Sequence, residues 1–185
     1  MNKLKLIQTG FDDLFIIEAF KIGDSRGYFS ETYNYRDLKS LGIDIRFVQD
    51  NQSLSTRGVM RGLHYQNAPH ALTKMIRVLS GSIMDVVLDL RKEKSTFGKI
   101  FQLEMSAERN QQFLVPKGFA HSFIVLSESA EILYKTDDFH YPELEGGILF
   151  NDPALKIDWK IPQDEMIISD RDRKHPMLKE ANFNF

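Results

Sequence analysis

Ten consecutive residues, Arg57-Gly58-Val59-Met60-Arg61-Gly62-Leu63-His64-Tyr65-Gln66, bring two fixed cations and an imidazole into one short run. The run alternates as a β-strand does, with residues two apart sharing a face. On that reading His64 lies with Gly62 and Gln66, and Arg61 lies with Leu63 and Tyr65. The two glycines leave room for a ligand or a close backbone. His64 is thus a candidate proton acceptor, set against the plainer reading of a satisfied structural or surface histidine. Arg57, Arg61, Lys74 and Arg77 fall on adjacent extended runs. They are either solvated outer-face charges or a site for phosphate or carboxylate, because burying them without an anion would be costly. A metal is another candidate, since His64, Gln66, His121 and an acidic residue could approximate a small-barrel site. The dense form of that signature has two histidines one residue apart on a strand, and here the second position is Gln66. By pattern alone Tyr134, between Leu133 and Lys135, reads as a core tyrosine with a satisfied hydroxyl. Asp172, in Ser169-Asp170-Arg171-Asp172-Arg173-Lys174, reads as a solvated loop charge.

The elements that must position these residues are mostly short extended runs separated by turns. Leu14 to Ile17 and Gly27 to Phe29 are strand candidates, with a turn over residues 23–27. One helix is expected from Tyr35 to Leu41, with Asn34 as N-cap, Asp37 in the first turn and Gly42 ending it. Further strands are expected over 46–52, 57–66, 72–79 and 83–90, then 99–105, 112–115, 122–126 and 131–135. In Ile83 to Leu90, Met84, Val86, Leu88 and Leu90 line one face, while Asp85 and Asp89 share the other. An acidic pair in so apolar a strand suggests a polar interior or mouth. Many short strands with little helix indicate a sandwich or jelly-roll barrel. The tail from Asp152-Pro153 onward reads as loops and short turns anchored by Trp159.

Composition narrows the function classes. A chain of 185 residues, 42% hydrophobic, suffices for one full core, and 1–185 is expected to be a single domain. Its charge of -2 arises from 24 basic and 26 acidic residues mixed along the chain, which argues against nucleic acid or a membrane surface as a partner held by bulk charge. The absence of cysteine removes disulfides and thiolate metal sites. The N-terminal apolar run is too short for a signal peptide or a span, so a soluble cytoplasmic protein is expected.

Taken together, Gln49-Asp50-Asn51-Gln52-Ser53, then Gly58 through Gln66, then Pro69 closely resemble the dTDP-4-dehydrorhamnose 3,5-epimerase family, cupin-fold enzymes of deoxysugar nucleotide biosynthesis. The likeness continues through Gly23 to Glu31, Asp85 to Arg91, Val115 to His121, Tyr134-Lys135, Glu145 to Ile148, Asn151 to Pro153, Leu155 to Trp159 and Ser169 to Asp172. The resemblance implies an all-β cupin or jelly-roll β-barrel with a few short helices. It implies a cofactor-independent inversion at C3 and C5 of dTDP-4-dehydro-6-deoxy-D-glucose, whose C4 ketone acidifies the hydrogens on both carbons. By resemblance His64 is the base, Asp172 orients its imidazole, Tyr134 is the acid on the opposite face and Lys74 stabilises the enolate oxygen. Asp85 would partner Lys74. Arg26, Glu31, Gln49, Asn51, Arg61, His121, Glu145 and Arg171 match family positions that bind the nucleotide sugar. The family exchanges N-terminal strands across a homodimer, which would put Arg26 and Glu31 in the partner's site.

Four residues at three places depart from the family pattern. Phe139-His140 stands where two tyrosines are common, Ser122 where glycine is usual, and Phe150 where Trp or Tyr often precedes Asn-Asp-Pro. A changed aromatic near the sugar could leave only C3 or only C5 inverted, or suit another 4-keto nucleotide sugar. A sugar-nucleotide-binding cupin without catalysis and a metal-dependent cupin are the readings from other classes.

Overall fold

The computed structural model describes residues 3–185. In chain order the elements are β1 (Leu4–Gln8), β2 (Phe15–Ala19), β3 (Ile22–Asp24), β4 (Gly27–Phe29), α1 (Tyr35–Ser40), β5 (Gln49–Thr56), β6 (Val59–Gln66) and β7 (Lys74–Ser80). They continue with β8 (Ser82–Asp89), β9 (Ile100–Ser106), β10 (Gln111–Val115), β11 (Phe119–Val125), β12 (Ser129–Thr136), β13 (Glu145–Gly147) and β14 (Ile167–Ile168), joined by short 3-10 turns. One sheet runs β1-β2-β10-β7-β12-β5 and the other β13-β6-β11-β8-β9, with β14 added in parallel to β6. The two sheets pack face to face as the cupin jelly-roll barrel. The β3–β4 hairpin forms a separate two-stranded sheet.

Alternation decides what each strand gives to the space between the sheets. On β7, Ile76 and Val78 point inward to meet Ile83 and Val87 of β8, while Met75 points outward. Strand β8 is buried on both faces, and its Met84, Val86 and Leu88 belong to a separate outer core. That outer core corrects the reading of the tail as loops with one anchor. Ile148, Phe150, Leu155, Trp159, Ile161, Met166 and Ile168 close over Met60, Leu63 and Tyr65 on the back of the second sheet. Trp159 Nε1 donates to the Phe150 carbonyl at 3.1 Å. At about 1.5–3 kcal/mol for each fully buried large apolar side chain, this cover outweighs the exposed surface ion pairs.

The helix forms as expected. Asn34 Oδ1 accepts from the Arg36 N–H at 3.0 Å, and Leu38 buries itself against Leu4, Ile17 and Leu114 on the back of the first sheet. Strand β5 differs from its expected span, starting at Gln49 and running to Thr56. Its bounds follow its eight-residue ladder with β12, from Gln49↔Thr136 to Thr56↔Ser129, rather than its own hydrophobicity. No helix among the described residues is long and apolar enough to cross a membrane.

Candidate active site

Strict alternation would put Arg61 and His64 on opposite faces of β6, yet both line the same cavity. The cause is a β-bulge. Between the pairs His121↔His64 and Phe123↔Arg61, β11 advances two residues and β6 advances three, which resets the facing of the strand. Gly62 makes this possible: its φ is +121°, and a Cβ there would lie 2.5 Å from the His121 carbonyl oxygen and 2.6 Å from Ser122 Cβ. Ser122 Oγ donates to the Arg61 carbonyl at 2.8 Å, so this departure from the family pattern serves the bulge.

The cavity, about 740 Å³, opens between the sheets where inward-facing residues change from apolar to polar. Asn51, Lys74 and Tyr134 come from the first sheet, and Arg61, His64 and His121 from the second. The tail adds Arg171 and Asp172, while Ile132 and Phe123 contribute apolar lining. His64 and Tyr134 therefore face one another from opposite sheets.

His64 Nε2 lies 2.7 Å from Asp172 Oδ1, a pairing across 108 residues made by the tail folding back over β6. Asp172 is 4% exposed. Burial alone would raise its pKa, but contacts with His175 and His64 and the Gly62 N–H, 3.4 Å from Oδ2, hold it far below the usual carboxylate range. Asp172 is thus an anion. It fixes the proton on His64 Nε2 and leaves Nδ1 with the free lone pair. Burial lowers the pKa of His64 and outweighs the opposing pull of Asp172, so the imidazole is neutral and able to take a proton. Burial also raises the Tyr134 phenol, with Glu145 adding to the effect, so the hydroxyl keeps its proton. Lys74 is lowered by burial, against the charges of Glu145 and Asp85.

The remaining expected residues divide by position. His121 Nε2 sits 3.0 Å from both oxygens of Asp85, so the direct partner of Asp85 is His121 and it reaches Lys74 only through its charge. Gln49 Nε2 donates to Asn51 Oδ1 at 3.0 Å beside the cavity. Glu145 holds Arg171 at 2.5 Å and His140 at 3.1 Å on the rim. Arg26 pairs with Asp24 at 2.6 Å on the β3–β4 hairpin and Glu31 with Lys3 at 2.6 Å, so neither joins the cavity within this chain. Gln66 is turned away and binds the Phe139 carbonyl at 3.0 Å and the Tyr141 N–H at 2.8 Å, which separates it from His64 and His121 as a metal donor. Of the other cations, Arg57 donates to the Leu126 carbonyl and Arg77 to Asn110 Oδ1, outside the cavity. Phe150 lies in the outer core, which removes it as an aromatic near a sugar. Pattern reading missed Ser55, whose Oγ accepts from Arg61 at 3.3 Å, and His175, which stands three residues past Asp172 in the same turn. The spacing Asp172-x-x-His175 is the signal that could have marked the latter.

These pKa directions set a pH dependence. The base form of His64 is lost as pH falls through its depressed pKa, so the acid limb of kcat/KM is expected to have its midpoint below the ordinary histidine value of 6.5. Tyr134 stays protonated past 10, so it imposes no loss at neutral pH. A kcat/KM profile between pH 4 and 9 checks this, and an acid limb centred above 6.5 would exclude His64 as the neutral base.

Comparison with known proteins matches the chain, rather than any one site in it, to a family. The family model for dTDP-4-dehydrorhamnose 3,5-epimerase matches residues 8–180. The enzyme of that name from Pseudomonas aeruginosa is 45% identical over 180 residues, covering 97% of this chain and 98% of the relative. The crystal structure of the Elizabethkingia anophelis enzyme superposes with a TM-score of 0.93 at 47% identity, covering 98% of this chain and 100% of that one. A Legionella pneumophila epimerase solved with dTDP-4-keto-L-rhamnose gives 0.92 at 41% identity, covering 97% and 95%.

Proposed function

Because the chain belongs to the dTDP-4-dehydrorhamnose 3,5-epimerase family, an isomerase family acting on nucleotide sugars, we propose that it inverts C3 and C5 of dTDP-4-dehydro-6-deoxy-D-glucose, with His64 as base and Tyr134 as acid. The observation that carries this assignment is the placement of the two groups on facing sheets across one cavity. Inversion requires a proton to leave one face of the ring and another to arrive on the opposite face. His64, neutral and oriented by Asp172, takes the proton next to the C4 ketone, and electron density moves into an enolate. The Lys74 ammonium meets the developing negative oxygen, and Tyr134 returns a proton to the other face. After one inversion His64 holds an extra proton and Tyr134 lacks one, so both exchange with solvent before the second. Arg61 and Arg171 supply guanidinium groups for the diphosphate.

We further propose that residues 1–185 act as one domain and that two chains exchange their N-terminal strands, which would place Arg26 and Glu31 in the partner's site. Ile22, Tyr28 and Phe29 are exposed on β3–β4, Leu54 is exposed on edge strand β5, and Arg26 and Glu31 lie away from the cavity of their own chain. A hairpin carrying that much exposed apolar surface fits an interface.

Incubation with dTDP-4-dehydro-6-deoxy-D-glucose in deuterated water is the test. Deuterium is expected at both C3 and C5 of a dTDP-4-dehydrorhamnose product. Label at one carbon would restrict the enzyme to a single inversion, and no label from folded protein would overturn the reading.

A further inference from the structure

Behind the His64–Asp172 pair, on the side away from the cavity, stands His175. Its Nε2 is buried, makes no formed hydrogen bond and lies 3.4 Å from Asp172 Oδ1. That is the same oxygen that His64 holds at 2.7 Å. The His175 ring meets the His64 ring edge to face, with centroids 5.4 Å apart at 78°, and its side chain is 13% exposed. The backbone fixes it there. The turn is closed by the Arg173 and Lys174 N–H groups on the Ser169 and Arg171 carbonyls, at 3.1 and 3.0 Å. His175 itself is extended, as a residue before proline must be, and the Pro176 carbonyl accepts from the Leu149 N–H at 2.8 Å. Room for the imidazole comes from Gly147, the register partner of His64, where a Cβ would stand 2.4 Å from His175 Nε2.

A buried ring nitrogen that lacks a formed hydrogen bond and lies this close to a carboxylate oxygen completes one by a small ring rotation that brings its N–H onto that oxygen. We propose that His175 is a positioning residue of the epimerisation: its Nε2–H shares the Asp172 oxygen that holds His64, anchoring the carboxylate and tempering the basicity it confers on that imidazole. The inference rests on the reading of His64 as the base. The direction of the effect follows from charge. A donor on Asp172 spreads its negative charge, so less is left to stabilise protonated His64, and a cationic His175 would act in the same direction. The other groups facing this cluster are Tyr65 on β6, Glu145 on β13, Lys74 on β7, Arg171 in the same turn, and the His121–Asp85 pair across β11 and β8.

The test compares His175→Leu, which fills the space without a donor, with His175→Gln, which returns an N–H near the position of Nε2. The His64 imidazole is titrated by NMR and kcat and KM are followed against pH. In His175→Leu the His64 titration and the acid limb are both expected to move up by about half a pH unit or more, with KM unchanged because His175 does not line the cavity. His175→Gln is expected to move both back toward the wild-type values. A His175→Leu protein that folds and titrates as the wild type does would reduce His175 to packing, and a Gln variant shifted as far as Leu would overturn the donor role. Failure of the wild type to exchange solvent hydrogen would instead remove the epimerase reading, while the NMR titration would still decide whether His175 acts on His64.

Discussion

Replacing His64 with Gln is expected to lower kcat by about 10³-fold, the scale of a lost general base, with deuterium uptake at C3 and C5 falling together. Asp172, held far below the usual carboxylate range, is too weak a base to take a carbon-bound proton in its place. His121 is the other imidazole on the cavity wall and has its own carboxylate partner in Asp85, so residual deuterium uptake in the variant would report on it. Gln is the informative substitution because its amide can still donate to Asp172 Oδ1. Alanine would leave a buried carboxylate without its main partner, a change that costs several kcal/mol of stability and would confuse loss of chemistry with loss of fold. With Gln, the denaturant midpoint should stay near wild type while the single-turnover rate collapses. If the variant keeps more than a tenth of the rate, the proton goes elsewhere.

How far the sequence could be read follows from the same strand. Alternation on β8 placed Asp85 opposite Met84, Val86 and Leu88, and the structure keeps that division because both faces of β8 are covered by apolar cores. On β6 the same rule failed at Arg61 and His64, since a period of two has no place for the extra residue of a bulge. Gly62 was its visible trace. The tail failed for another reason: Phe150, Leu155, Trp159, Ile161, Met166 and Ile168 follow no period, and only the back of the second sheet gives them a common face. Within the site, pattern alone made Tyr134 a core residue and Asp172 a surface charge. Family resemblance singled them out, and the topology explains why pattern could not, since Asp172 meets His64 across 108 residues of chain. His175 left only the spacing Asp172-x-x-His175 as its trace, because its place against the carboxylate is set by a turn and by a glycine on another strand. Of the pair Phe139-His140, Phe139 is exposed, while His140 pairs with Glu145, which holds Arg171 on the rim.

Replacing Lys74 with Met is expected to move activity and stability in opposite directions. Lys74 makes no ion pair among the described residues, and burial lowers its pKa against the distant charges of Glu145 and Asp85. A half-buried cation in the cavity wall without a contact partner is poorly solvated and destabilises the free enzyme. Met keeps the length of the aliphatic stem and removes the charge, so the denaturant midpoint should hold or rise. The rate should fall by about 10² to 10³-fold, the scale of losing a fixed donor at a developing oxyanion. The fall should appear equally in kcat and kcat/KM, because the ammonium gains most when the C4 oxygen carries full charge in the enolate and little while it is a neutral ketone. Unfolding curves and steady-state rates on the same preparation decide the matter. A structural lysine would lower stability on removal, and a lysine that only bound the diphosphate would raise KM with kcat unchanged. The combination of a firm fold and a lost rate belongs to a charge that the folded chain leaves unpaired for the enolate to meet.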